Sequence, residues 1–216
     1  MTAGTSDGVV QHHGAGLNGD SGIEGSGLRL PHRTALIIID VQAGFQDPDW
    51  GARNNLQAEG RIADLLAAWR AMGWPVHHVH HASQSPEGKF RIGTPGHVAK
   101  PEAIPAVGEP IHVKRVNSAF MGTTLERDLR GGAIGSLVLV GLTTNHCVST
   151  TARMSGNLGF RTIVVSDATA AFARAGLDGR MRPAEEVHSA ALSDLQGEFA
   201  TVMTTSHLEA LLQAAA

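Results

Sequence analysis

Three side chains in this sequence have the chemistry to attack a carbon, accept a proton and hold charge at one site: Cys147, Asp40 and Lys114. Cys147 is the only cysteine in 216 residues and lies in VLVGLTTNHCVSTTARM. The apolar run 137–140 reads as a buried strand. A glycine and two threonines follow, and a helix is expected to begin at about the cysteine. A thiol at that place has a helix N-terminus beneath it, and the partial positive charge there favours the thiolate. Thiolate is the nucleophilic form. A small buried core residue fits the same position, since most free cysteines are buried. The cysteine alone leaves both readings open.

The elements around it narrow the choice. TALIIID (34–40) is an isoleucine-rich run of strand length, as expected of a central strand covered on both faces. Ile62, Leu65, Leu66 and Trp69 follow helical spacing, so a helix is predicted over 57–72, stopped by Gly73 and Pro75. Strands are predicted at 76–81, 111–114, 137–140, 162–165 and 199–204. Further helices are predicted at 123–130, 146–157, 184–196 and 207–215. Segment 82–108 carries much proline and glycine and is too long for a plain connection, so a functional loop is expected. Strands alternating with helices imply one three-layer α/β domain over 29–216: a six-stranded, mostly parallel sheet with helices on both faces, a Rossmann-like layout. In such sheets the ligand crevice lies beyond the carboxyl ends of the strands. Asp40, Lys114 and Cys147 each follow a different strand, so an acid, a base and a thiol from distant segments should converge at one edge.

Composition sets the class. The chain is 42% hydrophobic and 17% charged, enough for one domain with a sizeable core. A net charge of −3 argues against a general nucleic-acid or membrane-surface binder. No signal peptide or membrane-length apolar stretch is visible. With a single cysteine, no internal disulfide can form, which fits a reducing cytoplasm. Residues 1–28 are glycine-rich and lack helical or strand periodicity, as expected of a flexible tail.

Three ordered segments carry a family resemblance: IIIDVQAGF, HVKRVNSAFMGTTLERDLR and VLVGLTTNHCVSTTARMSGNLGFRTIVVSDATAAF. From about Arg33 to Leu212 the chain resembles the isochorismatase-like cysteine hydrolases, in particular their amidohydrolase branch. The resemblance implies an Asp40, Lys114 and Cys147 triad that cleaves a small amide-type C–N bond through a thioester, with no organic cofactor. It also implies a cis Leu142-Thr143 peptide and an oxyanion hole built from the Thr143 and Cys147 N–H groups. Phe45, Trp50, Asn117, Phe120 and His146 flank the triad in sequence and are expected as pocket walls and hydrogen-bonding groups. Related enzymes commonly form dimers or larger assemblies, so a homo-oligomer is expected, with part of 82–122 or the tail at the interface.

Other features divide between site and scaffold. The run VHHVHH (76–81) places His78 and His80 on one face of its strand and His77 and His81 on the other. Two histidines on one face suit zinc, but a site needs a third ligand and usually a carboxylate. Related nicotinamidases carry an Asp-x-His segment here, and this chain has His-His-Ala-Ser, so no metal is expected. His81 can lie near the substrate. RIGTPG (91–96) matches a family loop beside the pocket and equally suits a structural turn. His188 is expected to be structural, and Glu185 and Glu186 to be a solvated helix start. Two rival functions remain. Vinyl-ether hydrolysis of isochorismate needs an acid to protonate carbon, and true isochorismatases resemble this chain but do without the cysteine. A thiol sensor on the same scaffold would keep Cys147 and lose turnover.

Overall fold

Five apolar residues in succession, Ala35–Ile39, form β1, and all five are buried. A strand buried on both faces needs helices above and below it, and the chain supplies both layers. In the computed structural model, which describes residues 29–214, β1 is followed by α1 (Ala58–Ala71), β2 (Val76–His81), β3 (Ile111–Lys114), α2 (Leu125–Gly131) and β4 (Ser136–Leu142). After these come α3 (Ser149–Asn157), β5 (Arg161–Ala170), a two-residue hairpin β6 (Arg174–Ala175) and β7 (Met181–Arg182), α4 (Ala184–Ser193), β8 (Thr201–Met203) and α5 (Thr205–Gln213). The glycine-rich segment 1–28, expected as a flexible tail, lies outside the described residues, as do 215–216.

The main sheet has six parallel strands in the order β3-β2-β1-β4-β5-β8. Strand alternation sorts its side chains into two cores. Leu36, Ile38, Val138 and Val140 pack under Ile62, Leu65, Leu66 and Trp69 of α1 and Leu208 and Leu212 of α5. Ala35, Ile37, Ile39, Leu137 and Leu139 pack under Leu125 and Leu129 of α2, Val148 and Ala152, and Leu192 of α4. The i, i+3, i+4, i+7 spacing of the α1 residues gives that helix its single buried stripe. Its buried Trp69 donates from Nε1 to the Thr34 carbonyl at 2.8 Å, so the indole N–H is satisfied. No helix among the described residues is long and apolar enough to cross a membrane.

The chain builds outward from β1 to β3 and then returns to β4 on the other side of β1. That reversal is the switch point where a crevice opens beyond the strand ends. Gly141 lets β4 run close beside β1 there: its φ is +121°, and a Cβ would lie 2.0 Å from the Ile39 carbonyl oxygen. The expected strand at 162–165 is longer than its apolar run. Leu139 pairs with Val164, but Gly141 pairs with Thr169, so β5 bulges between the two pairings and rejoins β4. Bulges re-aim a strand, and this one delivers Ala170–Arg174 toward the crevice. The final helix starts at Thr205 rather than at 207, because the Thr204 hydroxyl accepts the His207 N–H and caps it.

The long segment after β2 is pinned rather than free. Gln42 bridges to Ala99, the Ala43 N–H reaches the Val98 carbonyl at 2.8 Å, and the Lys100 N–H reaches Val41 at 2.9 Å. Lys100 and Arg53 both bond the buried Glu59 at the start of α1. Burial pushes the Glu59 carboxyl up, yet the hydrogen bonds from Arg53 and Lys100 outweigh it and hold the group at about 2. A carboxyl depressed on folding stabilises the fold above its ordinary value of 4.5 and loses that contribution as pH falls toward about 2. Glu59→Gln should therefore lower stability by about 2 kcal/mol at pH 7, with the deficit shrinking across that acid window. Urea unfolding at several pH values tests this; equal stabilities at pH 7 would remove Glu59 as the clamp on this loop.

Candidate active site

Asp40 ends β1 in a left-handed turn, with φ 52°, while its N–H still bonds the Val79 carbonyl at 2.8 Å. Aspartate tolerates this conformation better than most residues. Lys114 ends β3, two strands away, and its side chain is fully buried. Strand spacing is about 4.8 Å, so only a long side chain can cross β2 to reach the end of β1. Lys114 does so, and its Nζ donates to Asp40 Oδ2 at 2.7 Å. The same Nζ lies 3.2 Å from Cys147 Sγ and 3.2 Å from His81 Nδ1 at the end of β2. Cys147 itself sits in a π-type turn, Thr144–Val148, that leads into α3, and the Leu142-Thr143 peptide before it is cis. The structure thus brings together the three residues singled out from the sequence, and adds His81 to them.

The electrostatics differ from the simplest expectation for a thiol at a helix start. The sulfur is buried inside the turn and faces a carboxylate. Burial pushes the Cys147 thiol up to about 12, the charge of Asp40 adds to this, and Lys114 opposes it. The thiol therefore keeps its proton at neutral pH in the unliganded site. Burial likewise raises the Asp40 carboxyl, against the charge and hydrogen bond of Lys114. Among the described residues the buried Asp40 Oδ1 has no hydrogen-bond partner, while Oδ2 holds the lysine. An Asp40 carboxylate oxygen, a His81 ring nitrogen and Cys147 Sγ lie within 4.8 Å of one another. These three groups have the spacing of metal ligands, but all three already bond one buried ammonium, so a metal ion would have to displace Lys114.

Above the sulfur lies a cavity of about 620 Å³. One wall is aromatic: Phe45, Trp50, Phe90 and Phe172 pack with centroid separations of 4.7–6.2 Å. Other lining residues are polar. Arg174 Nη1 donates to His146 Nε2 at 2.8 Å, and His146 Nδ1 lies 3.3 Å from Thr143 Oγ1. Arg174 has no carboxylate partner among the described residues, whereas Lys89 on the acidic side of the mouth is held by Asp47 and Asp49. Asn117 lines the cavity with its Oδ1 3.9 Å from Sγ.

Residues 34–207 match the family model for the isochorismatase domain. The chain belongs to the isochorismatase family of hydrolases. It is 45% identical to the isochorismatase family protein YrdC of Bacillus subtilis, over 83% of this chain and 96% of that one. A solved isochorismatase-family structure from Chromobacterium violaceum superposes with a TM-score of 0.86 at 41% identity, covering 88% of this chain and 100% of that one. Maleamate amidohydrolase of Pseudomonas putida is 27% identical over 85% of this chain and 88% of its own length.

Within this isochorismatase-family cavity, Phe45, Trp50, Asn117, Thr143 and His146 are lining residues. Phe120 is not. It is buried beneath α2 and α3 and stacks on Phe160 at 5.9 Å, because the chain turns inward after Asn117 toward the core. Phe90, Phe172 and Arg174 also line the cavity; Phe90 belongs to the loop expected to be functional and Phe172 ends the third family segment, but no local spacing aimed them here, since each arrives from a loop or from beyond the bulge. The 91–96 turn is structural. A Cβ on Gly96 would lie 1.9 Å from the Lys89 carbonyl oxygen, so the turn packs tightly behind the aromatic wall. His77 pairs with His112 and His78 with Glu109, both away from the site. His188 buttresses the cysteine turn through Thr144 Oγ1 at 2.8 Å, and Glu185 accepts from Asn54.

The charge layout gives a signed test. Asp40→Asn removes a negative charge that raises the thiol and leaves Lys114, which lowers it. Iodoacetamide should then label Cys147 in Asp40→Asn faster than in wild type at pH 7–8, by about tenfold for each unit the thiol falls. Slower or equal labelling would mean that the Asp40 charge does not hold the proton on sulfur.

Proposed function

We propose that this protein is a cysteine hydrolase that cleaves a small amide-type C–N bond, with Asp40, Lys114 and Cys147 as its catalytic triad. The observation that carries the reading is one buried ammonium, Lys114 Nζ, bonded to Asp40 Oδ2 at 2.7 Å and to Cys147 Sγ at 3.2 Å, with an Asp40 carboxylate oxygen within 4.8 Å of the sulfur. The likeness to an amidohydrolase supports amide chemistry. Asp40 takes the thiol proton as Sγ attacks the carbonyl carbon, and Lys114 stabilises the sulfur charge that develops. The tetrahedral oxyanion is held by the Thr143 and Cys147 N–H groups. Asp40 returns its proton to the nitrogen, the C–N bond breaks, and ammonia or an amine leaves a thioester on Cys147. Water, deprotonated by Asp40, then attacks the thioester, releasing the acid and restoring the thiol. Every proton is accounted for by one carboxylate, so the chemistry requires no organic cofactor.

The cavity suits a small substrate with an apolar or planar body against the aromatic wall. Arg174, bonded to a neutral imidazole and without an acidic partner among the described residues, suits a carboxylate on the same molecule. The test is ammonia release across a panel of small amides with and without a carboxylate. Cys147→Ala and Asp40→Asn should each lose at least about a thousandfold in kcat. Rapid acid quenching should trap an acyl adduct on Cys147, visible by mass spectrometry. Turnover surviving Cys147→Ala would overturn covalent catalysis. Alkylation of Cys147 without turnover of any amide would favour a thiol sensor.

We place this chemistry in the reducing cytoplasm, consistent with a lone free cysteine. We also propose a homo-oligomer. Support comes from the open edge of β3 and from the exposed apolar Ile111, Val113, Val116 and Met121 on and beyond it. Light scattering at micromolar concentration should give at least twice the chain mass of 22.6 kDa. A monomer would refute the assembly.

A further inference from the structure

His81 has a fixed chemical form that the triad alone does not require. An ammonium has three N–H bonds and no lone pair. Lys114 directs them to Asp40 Oδ2, Cys147 Sγ and His81 Nδ1. His81 Nδ1 must therefore present a lone pair, and the neutral ring carries its proton on Nε2. Burial and the Lys114 charge both push His81 below its ordinary value, against the pull of Asp40, so the ring stays neutral at pH 7. Nε2 has no partner among the described residues, and His81 lines the cavity.

The residue is also held rigidly. Gln42 grips its backbone on both sides, accepting the His81 N–H at 2.8 Å and donating to its carbonyl at 3.1 Å. The Phe90 ring meets the imidazole edge-on at 5.8 Å and 79°. A donor with a set tautomer, a gripped backbone and a packed ring is preorganised for a ligand.

We infer that His81 is a substrate-binding residue, locked by Lys114 as an Nε2–H donor that hydrogen-bonds an acceptor oxygen of the amide substrate. The substrate class this selects is an amide bearing a second oxygen acceptor beside its reactive carbonyl. An amide lacking that oxygen leaves the Nε2–H unpaired on closing the site and binds less well. The inference rests on the amidase reading of the same cavity.

Two substitutions separate the two ring nitrogens. Asparagine keeps an acceptor near the Nδ1 position and loses the distal donor. Glutamine keeps a donor near the Nε2 position and loses the acceptor for Lys114. With the best substrate from the amide panel, His81→Asn should raise KM at least about tenfold, with most of the loss in KM rather than kcat. His81→Gln should keep KM near wild type and lower kcat. Nitrogen-15 NMR of labelled enzyme, with His81→Asn identifying the resonance, should show the proton on Nε2. A wild-type KM in His81→Asn, or a proton on Nδ1, overturns the inference. Failure of the amidase reading is separately visible as the absence of ammonia release by the wild-type enzyme from every amide of the panel, and it leaves the imidazole spectrum unaffected.

Discussion

One buried ammonium organises the candidate active site. Lys114 starts on β3 and bonds a carboxylate on β1, and β2 lies between them. The contact can form only if three neighbouring parallel strands end at the same level. Parallel register supplies that condition: His81 sits beside Lys114, and Ile39 beside Val79. The ion pair is almost wholly out of water, so its desolvation must be offset by good geometry and by further hydrogen bonds. The sulfur and the His81 ring nitrogen supply those bonds, which is why all four side chains behave as one unit.

That unit explains the resting state of the thiol. A cysteine at a helix start is often activated by the helix alone. Here the sulfur is buried against an anionic carboxylate, and the proton stays on it. In the proposed reaction, reactivity is released in place, when a carbonyl arrives and the developing charge can move onto its oxygen. An inert resting thiol also resists oxidation and stray alkylation, which a permanent thiolate would not.

The aromatic wall above the unit is built from parts that belong to no strand or α-helix. Phe45 comes from a short turn after β1, Phe90 from the long loop after β2, and Phe172 from beyond the bulge in β5. They meet because the loops are bonded to one another. Trp50 Nε1 donates to the Gly44 carbonyl, the Asn54 side chain accepts the Ala171 N–H, and Glu59 gathers Arg53 and Lys100. The rim that contrasts with this wall, Arg174 with His146, depends on the same bulge. Shape and polarity of the site thus come from loop-to-loop contacts laid over a conventional sheet.

Much of the framework was legible in the residues themselves. Apolar runs of strand length and the spacing of Ile62, Leu65, Leu66 and Trp69 fix the elements, because burial on one or two faces leaves a period in the sequence. Strand-helix alternation then fixes a parallel sheet, and parallel strands put Asp40, Lys114 and Cys147 at one edge. Local pattern carries no information about contacts between distant loops. Phe120 follows Asn117 closely in sequence, yet it turns into the core and stacks on Phe160, while Phe90, Phe172 and Arg174 reach the cavity from far along the chain. The bulge that carries the last two adds no period to read, and its residues look like an ordinary strand end. The state of the thiol and the tautomer of His81 were decided only by the fold, since both depend on which charges lie within a few ångströms once four segments have been brought together.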